Sequence, residues 1–222
     1  NEWYIYNEWN KYYYGVEGRA CSGFQTIDGK KYYFNESGRM YTDTIVADED
    51  GKYYFCDADG VAIERTLANN AWTEVAGKYY YVKDGELLRN CIEKIGDVYY
   101  GFNSDGVMYA DSDFYIWDQE THQNEYYRAK ADGSFYVNEW YIPNNSNKNP
   151  YYYGEDGKAY TGIHTINGKQ YYFDRHGWLY KNGIIRDNDK TYYCDEEGIA
   201  TDVTGGGWVQ KDGNLSLIHI SE

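Results

Sequence analysis

A doublet or triplet of tyrosines, followed within a few residues by a glycine, occurs nine times along the 222 residues. The copies begin at Tyr12, Tyr32, Tyr53, Tyr79, Tyr99, Tyr126, Tyr151, Tyr171 and Tyr192, at spacings of 20 to 27 residues. Self-similarity at such a period means a repeat architecture, in which each unit is too small to bury a core alone and must stack on its neighbours. A longer period lies over the short one. Asn1-Glu2-Trp3-Tyr4-Ile5 returns as Asn138-Glu139-Trp140-Tyr141-Ile142, and Tyr12, Tyr32 and Tyr53 map onto Tyr151, Tyr171 and Tyr192 with a shift of 139. The expected organisation is one repeat array over residues 1–214, made of two partial copies of a longer block, the second starting near Asn138.

Each unit reads as a β-hairpin. Lys30-Lys31-Tyr32-Tyr33-Phe34 has strand residue types, and Asn35-Glu36-Ser37-Gly38 supplies a turn. Second turn signals, Asp28-Gly29, Asp50-Gly51, Ala76-Gly77 and Asn167-Gly168, precede many doublets. The expected fold is therefore all-β, a solenoid of stacked β-hairpins with about 20 residues per repeat. The 25–27-residue spacings are expected to hold loop insertions, as in the stretch from Asn144 to Pro150. Strand alternation puts Tyr32 and Phe34 on one face and Lys31 and Tyr33 on the other. By the same split Phe55 and Phe173 point inward and Tyr54 and Tyr172 outward. The first aromatic of each doublet is read as core, the second as groove-facing.

Composition narrows the function classes. There are 36 acidic and 21 basic residues, a net charge of −15. That balance argues against a nucleic-acid partner, which calls for a basic footprint, and no apolar run is long enough to span a bilayer. Aromatics number 44 against 31 Ile, Leu and Val together, so tyrosine must supply both core and surface.

The pattern Gly23-Phe24-Gln25-Thr26-Ile27-Asp28-Gly29-Lys30-Lys31-Tyr32-Tyr33-Phe34, repeated as Gly162-Ile163-His164-Thr165-Ile166-Asn167-Gly168-Lys169-Gln170-Tyr171-Tyr172-Phe173, resembles the cell-wall-binding, choline-binding-like repeat superfamily. Glucan-binding repeats and the repetitive tails of clostridial toxins belong to it. The resemblance covers residues 1–214 and implies a secreted, cell-wall-associated Gram-positive protein held by its repeats to an envelope polymer or glycan. Choline modules of that superfamily use a Trp after Gly and a Trp before the doublet. Here those places hold Phe24, Ile163 and Ile184, and Lys31, Lys52, Lys78 and Gln170. Choline, or a choline-bearing polymer, is thereby demoted as a partner, and cell-wall polysaccharide or glucan comes first. The rival classes are an adhesin or toxin-like repeat recognising a host or protein surface, and a passive stalk.

Tyr33, Tyr54, Tyr80, Tyr172 and Tyr193 are the candidate stacking tyrosines, and Trp72, Trp178 and Trp208 the candidate platforms, since an aromatic face suits the CH face of a sugar. Trp3 and Trp140, equivalent in the long repeat, suit a structural role equally well. Acid-rich turns such as Asp57-Ala58-Asp59-Gly60 miss the calcium-loop register and are read as turn chemistry. Cys21, Cys56, Cys91 and Cys194 form no CxxC and are read as free thiols, with Cys194 in the place of Phe55. No catalytic motif, cofactor site or metal site is legible, so the piece is expected to be non-enzymatic, with any catalytic domain outside it.

The two ends break the pattern. No Met or signal segment opens the chain, which suits a fragment or processed product. Trp208 to Asn214 repeats Trp72 to Lys78, yet an aromatic expected at position 215 is Leu215. Residues 215–222 read like the translation of a sequencing-library adapter, so they are expected to be a non-native tail without function.

Overall fold

The computed structural model describes residues 1–7, 10–144, 149–211 and 214–218. The chain divides into two compact units, residues 1–95 with 100–109, and residues 96–99 with 110–222. Among the described residues every regular element is a β-strand, and each sheet consists of two or three strands consecutive in sequence and paired antiparallel. In the first unit Gly23–Ile27 pairs with Lys30–Phe34, Thr44–Ala47 with Tyr53–Cys56, and Ala71–Val75 with Lys78–Lys83. In the second, Ser112–Asp118 pairs with Gln123–Ala129, Glu139–Tyr141 with Tyr151–Tyr153, Gly162–Ile166 with Lys169–Phe173, and Gly183–Asp187 with Lys190–Cys194. The all-β hairpin class is the expected one. The segment Asn145 to Lys148 of the anticipated loop insertion lies outside the described residues, as do Gly213 and positions 219–222 of the tail. Asn214–Ile218 pairs as a strand with Gly207–Lys211.

Two kinds of turn make each repeat. Asp28-Gly29, Ala76-Gly77 and Asn167-Gly168 have positive φ at both residues (50° and 77°, 50° and 75°, 50° and 79°), the type I′ geometry whose twist matches a two-residue hairpin. The turn after the doublet is built by an Asp or Asn that accepts two backbone N–H groups. Asp57 takes those of Asp59 and Val61, Asn103 those of Asp105 and Val107, Asp174 those of His176 and Trp178, and Asp195 those of Glu197 and Ile199, all at 2.8–3.0 Å. The acid-rich turns thus use their carboxylates on the backbone. The hydroxyl and N–H of Ser134 hold Asp132 below the usual carboxylate range, and those of Thr204 do the same for Asp202.

Within each unit the hairpins stack in solenoid fashion. Tyr12 bridges to Arg39 and Tyr32 to Val61 in the first unit, and Tyr171 to Ile199 in the second. The N–H of the second residue after a turn glycine reaches back to an earlier hairpin. Met40 donates to the Lys11 carbonyl at 2.8 Å, Met108 to Tyr79 at 2.8 Å, Ala159 to Tyr126 at 2.9 Å and Leu179 to Pro150 at 2.8 Å. The turn glycine itself touches the hairpin before it. At Gly60 and Gly198, where φ is 86° and 85°, an added Cβ would stand 2.4 Å from Met40 and 2.8 Å from Leu179, so both handedness and space require glycine.

Within each unit the core is a column of residues counted back from that glycine. The fourth residue before it is fully buried in seven repeats: Phe34, Cys56, Phe102, Ala129, Tyr153, Phe173 and Cys194. Opposite each stands the second residue after the glycine, in cross-strand pairs Phe34 with Met40, Phe102 with Met108, Ala129 with Phe135, Tyr153 with Ala159 and Phe173 with Leu179. Large faces small at Ala129 and at Tyr153, which keeps the layer filled. Where both are small, at Cys56 with Ala62 and Cys194 with Ala200, neighbouring aromatics fill in: Tyr54, Phe24 and Tyr33 in one case, Tyr192, Tyr172 and Tyr180 in the other.

This register corrects the face assignment. Tyr54, expected to face outward, is buried beside Cys56, while Phe55, expected inside, is half exposed; Tyr80 and Tyr193, also expected outward, are buried too, Tyr193 on the face opposite Cys194. Tyr53-Tyr54-Phe55-Cys56 carries one residue more before its turn than Tyr32-Tyr33-Phe34, and a one-residue slip moves every side chain to the opposite face. Cys194 accordingly corresponds to Cys56 rather than to Phe55. Tyr33 and Tyr172 are half-buried, packed between successive hairpins.

The four cysteines are unpaired. Burial, with Asp57 and Asp195 adding to it, pushes the Cys56 and Cys194 thiols up from an ordinary 9.0 to about 12 and about 11. Burial raises the phenols of Tyr80, Tyr127 and Tyr153 above their ordinary value as well. A raised folded-state value means the fold favours the neutral form. Its contribution is complete below the unfolded value and disappears as pH rises through the folded one. The thermal unfolding midpoint is therefore expected to be level approaching pH 9 and to fall between pH 9 and 12. A midpoint still level at pH 12 would contradict the buried thiols and phenols.

Candidate functional site: tryptophan triads and a groove in the second unit

Three tryptophans share one environment. Trp3 lies opposite Tyr13, Trp72 opposite Tyr81 and Trp140 opposite Tyr152 across their hairpins. Each also meets a tyrosine of the following hairpin, Tyr32, Tyr100 and Tyr171 respectively. All six ring centroids lie 4.9–5.2 Å from the indole at 64–75°, edge to face, and Phe34, Phe102 or Phe173 closes the base at 5.8–6.0 Å. Edge-to-face contact fixes the indole through the ring quadrupoles and leaves its outer side free. Trp3 is 37% and Trp72 38% exposed. Such a held, half-open indole can stack on a sugar face or attract a cation. Trp208 differs: its cross-strand partner is Leu217 where Trp72 has Tyr81, and it is 65% exposed.

A fourth niche of the same plan holds Phe24 opposite Tyr33, with Tyr54 from the next hairpin at 4.7 Å. Here the chain supplies its own cation. Lys31 Nζ stands 4.0 Å from the Tyr54 ring centre and 4.6 Å from that of Phe24. In the second unit Ile163 takes the place of Phe24 and Gln170 that of Lys31, so neither ring nor ammonium is present there.

The second unit also carries a groove of about 370 Å³, lined by Tyr115, Tyr126, Tyr151, His176 and Trp178, with Asp113 at its edge. Tyr115 and Tyr126 come from one hairpin, Tyr151 from the next, and His176 and Trp178 from the turn after that. The indole N–H of Trp178 donates to the Tyr151 hydroxyl. Burial raises the Tyr151 phenol above its ordinary value while that bond pulls the other way, so it is a neutral hydroxyl at pH 7. Arg175 Nε–H donates to His176 Nε2 at 3.1 Å. Nε2 is therefore the lone-pair nitrogen, and Nδ1–H donates to the Tyr126 hydroxyl at 3.3 Å. Arg128 holds Asp113 at 2.6 Å and Asp111 at 3.0 Å and stacks on Tyr141 at 4.1 Å. A second cavity, about 340 Å³, lies in the first unit beside Tyr53, Tyr54 and Phe55.

The structure thus distributes the residues picked from sequence. Trp178 lines the groove, Trp72 stands in a triad, and Trp208 is exposed beside Leu217. Tyr54 borders the first-unit cavity, and Tyr33 and Tyr172 pack between hairpins. Tyr80 is core, its hydroxyl sharing a 3.1 Å hydrogen bond with Thr44 Oγ1, and Tyr193 is core as well. Sequence reasoning ranked Trp3 and Trp140 below Trp72, although all three are equivalent. Unequal turns between Trp and Tyr hide the match. Tyr126 and Tyr151, expected in the core as first aromatics of their doublets, are only partly buried and line the groove; Tyr115, His176 and Asp113 carried no individual signal.

Residues 21–65 and 160–199 match the family model of the choline-binding repeat. Glucosyltransferase-S of Streptococcus mutans is 28% identical over 222 residues, 96% of this chain and 14% of the relative. Glucosyltransferase-I of the same species is 31% identical over 182 residues, 79% of this chain and 11% of the relative. The choline-binding domain of CbpL from Streptococcus pneumoniae is 24% identical, with a TM-score of 0.47 over 82% of this chain and 87% of that one. The chain spans only about a seventh or less of the length of these glucosyltransferases. Choline-binding repeats matched at two places one long period apart, on a framework of stacked aromatic hairpins, make the chain similar to the cell-wall-binding, choline-binding-like repeat superfamily.

Proposed function

We propose that the chain is a non-catalytic, extracellular module that attaches a secreted protein to cell-wall or glucan-type carbohydrate. The observation that carries this reading is the Trp–Tyr–Tyr triad, built three times with nearly the same distances and angles, its indole exposed at Trp3 and Trp72 and partly buried at Trp140. An aromatic face of this kind adds affinity without demanding a particular charge, as a neutral polymer requires. The glucosyltransferase relatives, of which this stretch is a small part, support glucan as the glycan class. A choline-bearing polymer is the second reading. It is favoured by the family match and by the Phe24–Tyr54 niche, where aromatic rings of this arrangement already hold an ammonium.

Co-sedimentation of the chain with purified Gram-positive cell walls tests both readings. Wall binding displaced by soluble α-glucan and unaffected by choline is the expected result. Displacement by choline alone would move the assignment to the choline-bearing polymer. Failure to sediment with any wall preparation would remove wall anchoring altogether.

A further inference from the structure

We infer that the groove between Tyr115, Tyr126, Tyr151 and Trp178 is a binding site for a neutral, hydroxyl-rich glycan chain, separate from the tryptophan triads. The inference rests on the reading that the module binds carbohydrate, and it adds a place and a hydrogen-bonding code.

The code follows from which way each proton points. Arg175 fixes His176 with its proton on Nδ1, and that proton goes to the oxygen of Tyr126. Trp178 gives its indole proton to the oxygen of Tyr151. Both phenol oxygens therefore receive a hydrogen bond from the protein, which leaves each phenol O–H to donate outward. Two donors on two successive hairpins face the groove beside an indole and the 63% exposed ring of Tyr115. Asp113 adds the opposite capacity: Arg128 takes one carboxylate oxygen, and the other can accept. A ligand that uses this set must present acceptors to the phenols, a donor to the carboxylate and flat apolar faces to the rings. Sugar hydroxyls act as donors and acceptors at once, and sugar CH faces suit the rings. A quaternary ammonium offers neither donor nor acceptor, so it would leave the two phenol donors and the free carboxylate oxygen without partners. The cavity, about 370 Å³ across three hairpins, falls in the range of small-molecule sites and suits a short stretch of chain.

The test is titration of the whole chain, followed by tryptophan fluorescence and calorimetry. Isomalto-oligosaccharides probe the glucan source of this chemistry and chito-oligosaccharides the wall-glycan source. Tyr126→Phe and Tyr151→Phe remove the donating hydroxyls, and with them the acceptors of the His176 and Trp178 N–H groups, and are expected to weaken binding roughly five- to tenfold each, the effect of one net hydrogen bond. Trp178→Ala is expected to remove the groove's share of the fluorescence response and leave that of the triad indoles, with circular dichroism checking that the variant folds. Unchanged oligosaccharide affinity in both tyrosine variants, while the chain still sediments with walls, would overturn the groove and leave the anchoring function standing. Displacement of the oligosaccharide by choline would overturn the ligand class. A wild-type chain that binds neither oligosaccharide series nor walls would take both readings down.

Discussion

Replacing Phe173 by alanine is expected to cost about 3–5 kcal/mol, the range for truncating a buried phenylalanine. The ring is fully buried. It faces Leu179 across the strand, lies against Ile166, and forms the base of the Trp140 triad at 5.8 Å. The neighbouring repeat cannot close the gap. Leu179 is fixed from the other side by Gly198, which lies within van der Waals distance of its methyl groups. A marginally stable unit of this size has about 5–15 kcal/mol in all, so a large share of its stability rests on one ring. Cys194→Ala, in the same column one repeat later, removes only a small group already surrounded by Tyr172, Tyr180 and Ile185. It is expected to cost well under half as much. Near-UV circular dichroism during thermal unfolding reads both. At roughly 4–8 °C per kcal/mol, Phe173→Ala should lower the midpoint by more than 10 °C. Equal midpoints for the two variants would mean that the column is not the core.

Why the faces were misjudged from sequence, while the repeats were not, lies in what anchors each repeat. Turn glycines and tyrosine doublets are visible as letters, and they give the hairpin class, the two-residue turns and the stacking period. The inward face depends on a register, and the register is set at the turn, where glycine needs positive φ and an Asp or Asn caps the backbone. Counting forward from the doublet puts Tyr54 outside and Phe55 inside. Counting back four residues from Gly60 puts Cys56 and Tyr54 inside, as the structure has them. The same count exposes the candidate site only in part. Trp72 and Trp178 stand out because large side chains are few. The equivalence of Trp3, Trp72 and Trp140 is invisible in one dimension, since the hairpin loops between each Trp and its Tyr differ in length. The groove combines side chains from three hairpins, and the proton arrangement at His176 exists only because Arg175 is folded beside it. No spacing rule carries that information.

The triads differ from the groove in how their loss should be felt. One indole face is a weak contact, and a polymer that repeats its sugar can meet several in turn. Linking weak contacts in one molecule raises overall affinity by about 10²–10⁴ over a single one. Leucine is the replacement of choice, because it keeps apolar bulk against Tyr13, Tyr81 or Tyr152 and removes the flat face. Each single variant, Trp3→Leu, Trp72→Leu or Trp140→Leu, is then expected to weaken wall binding about tenfold or less. The triple variant is expected to lose roughly 10²–10⁴-fold, most of the bound fraction. Phenylalanine at the same three positions should retain intermediate binding, since a smaller face remains on the same tyrosine edges. Co-sedimentation across a range of wall concentrations separates the cases. If one single variant abolished binding, a dominant site would replace the multivalent one. If the triple leucine variant bound walls like the wild type while Trp178→Ala did not, the affinity would belong to the groove, and the triads would be structural boxes that merely leave one indole side in solvent.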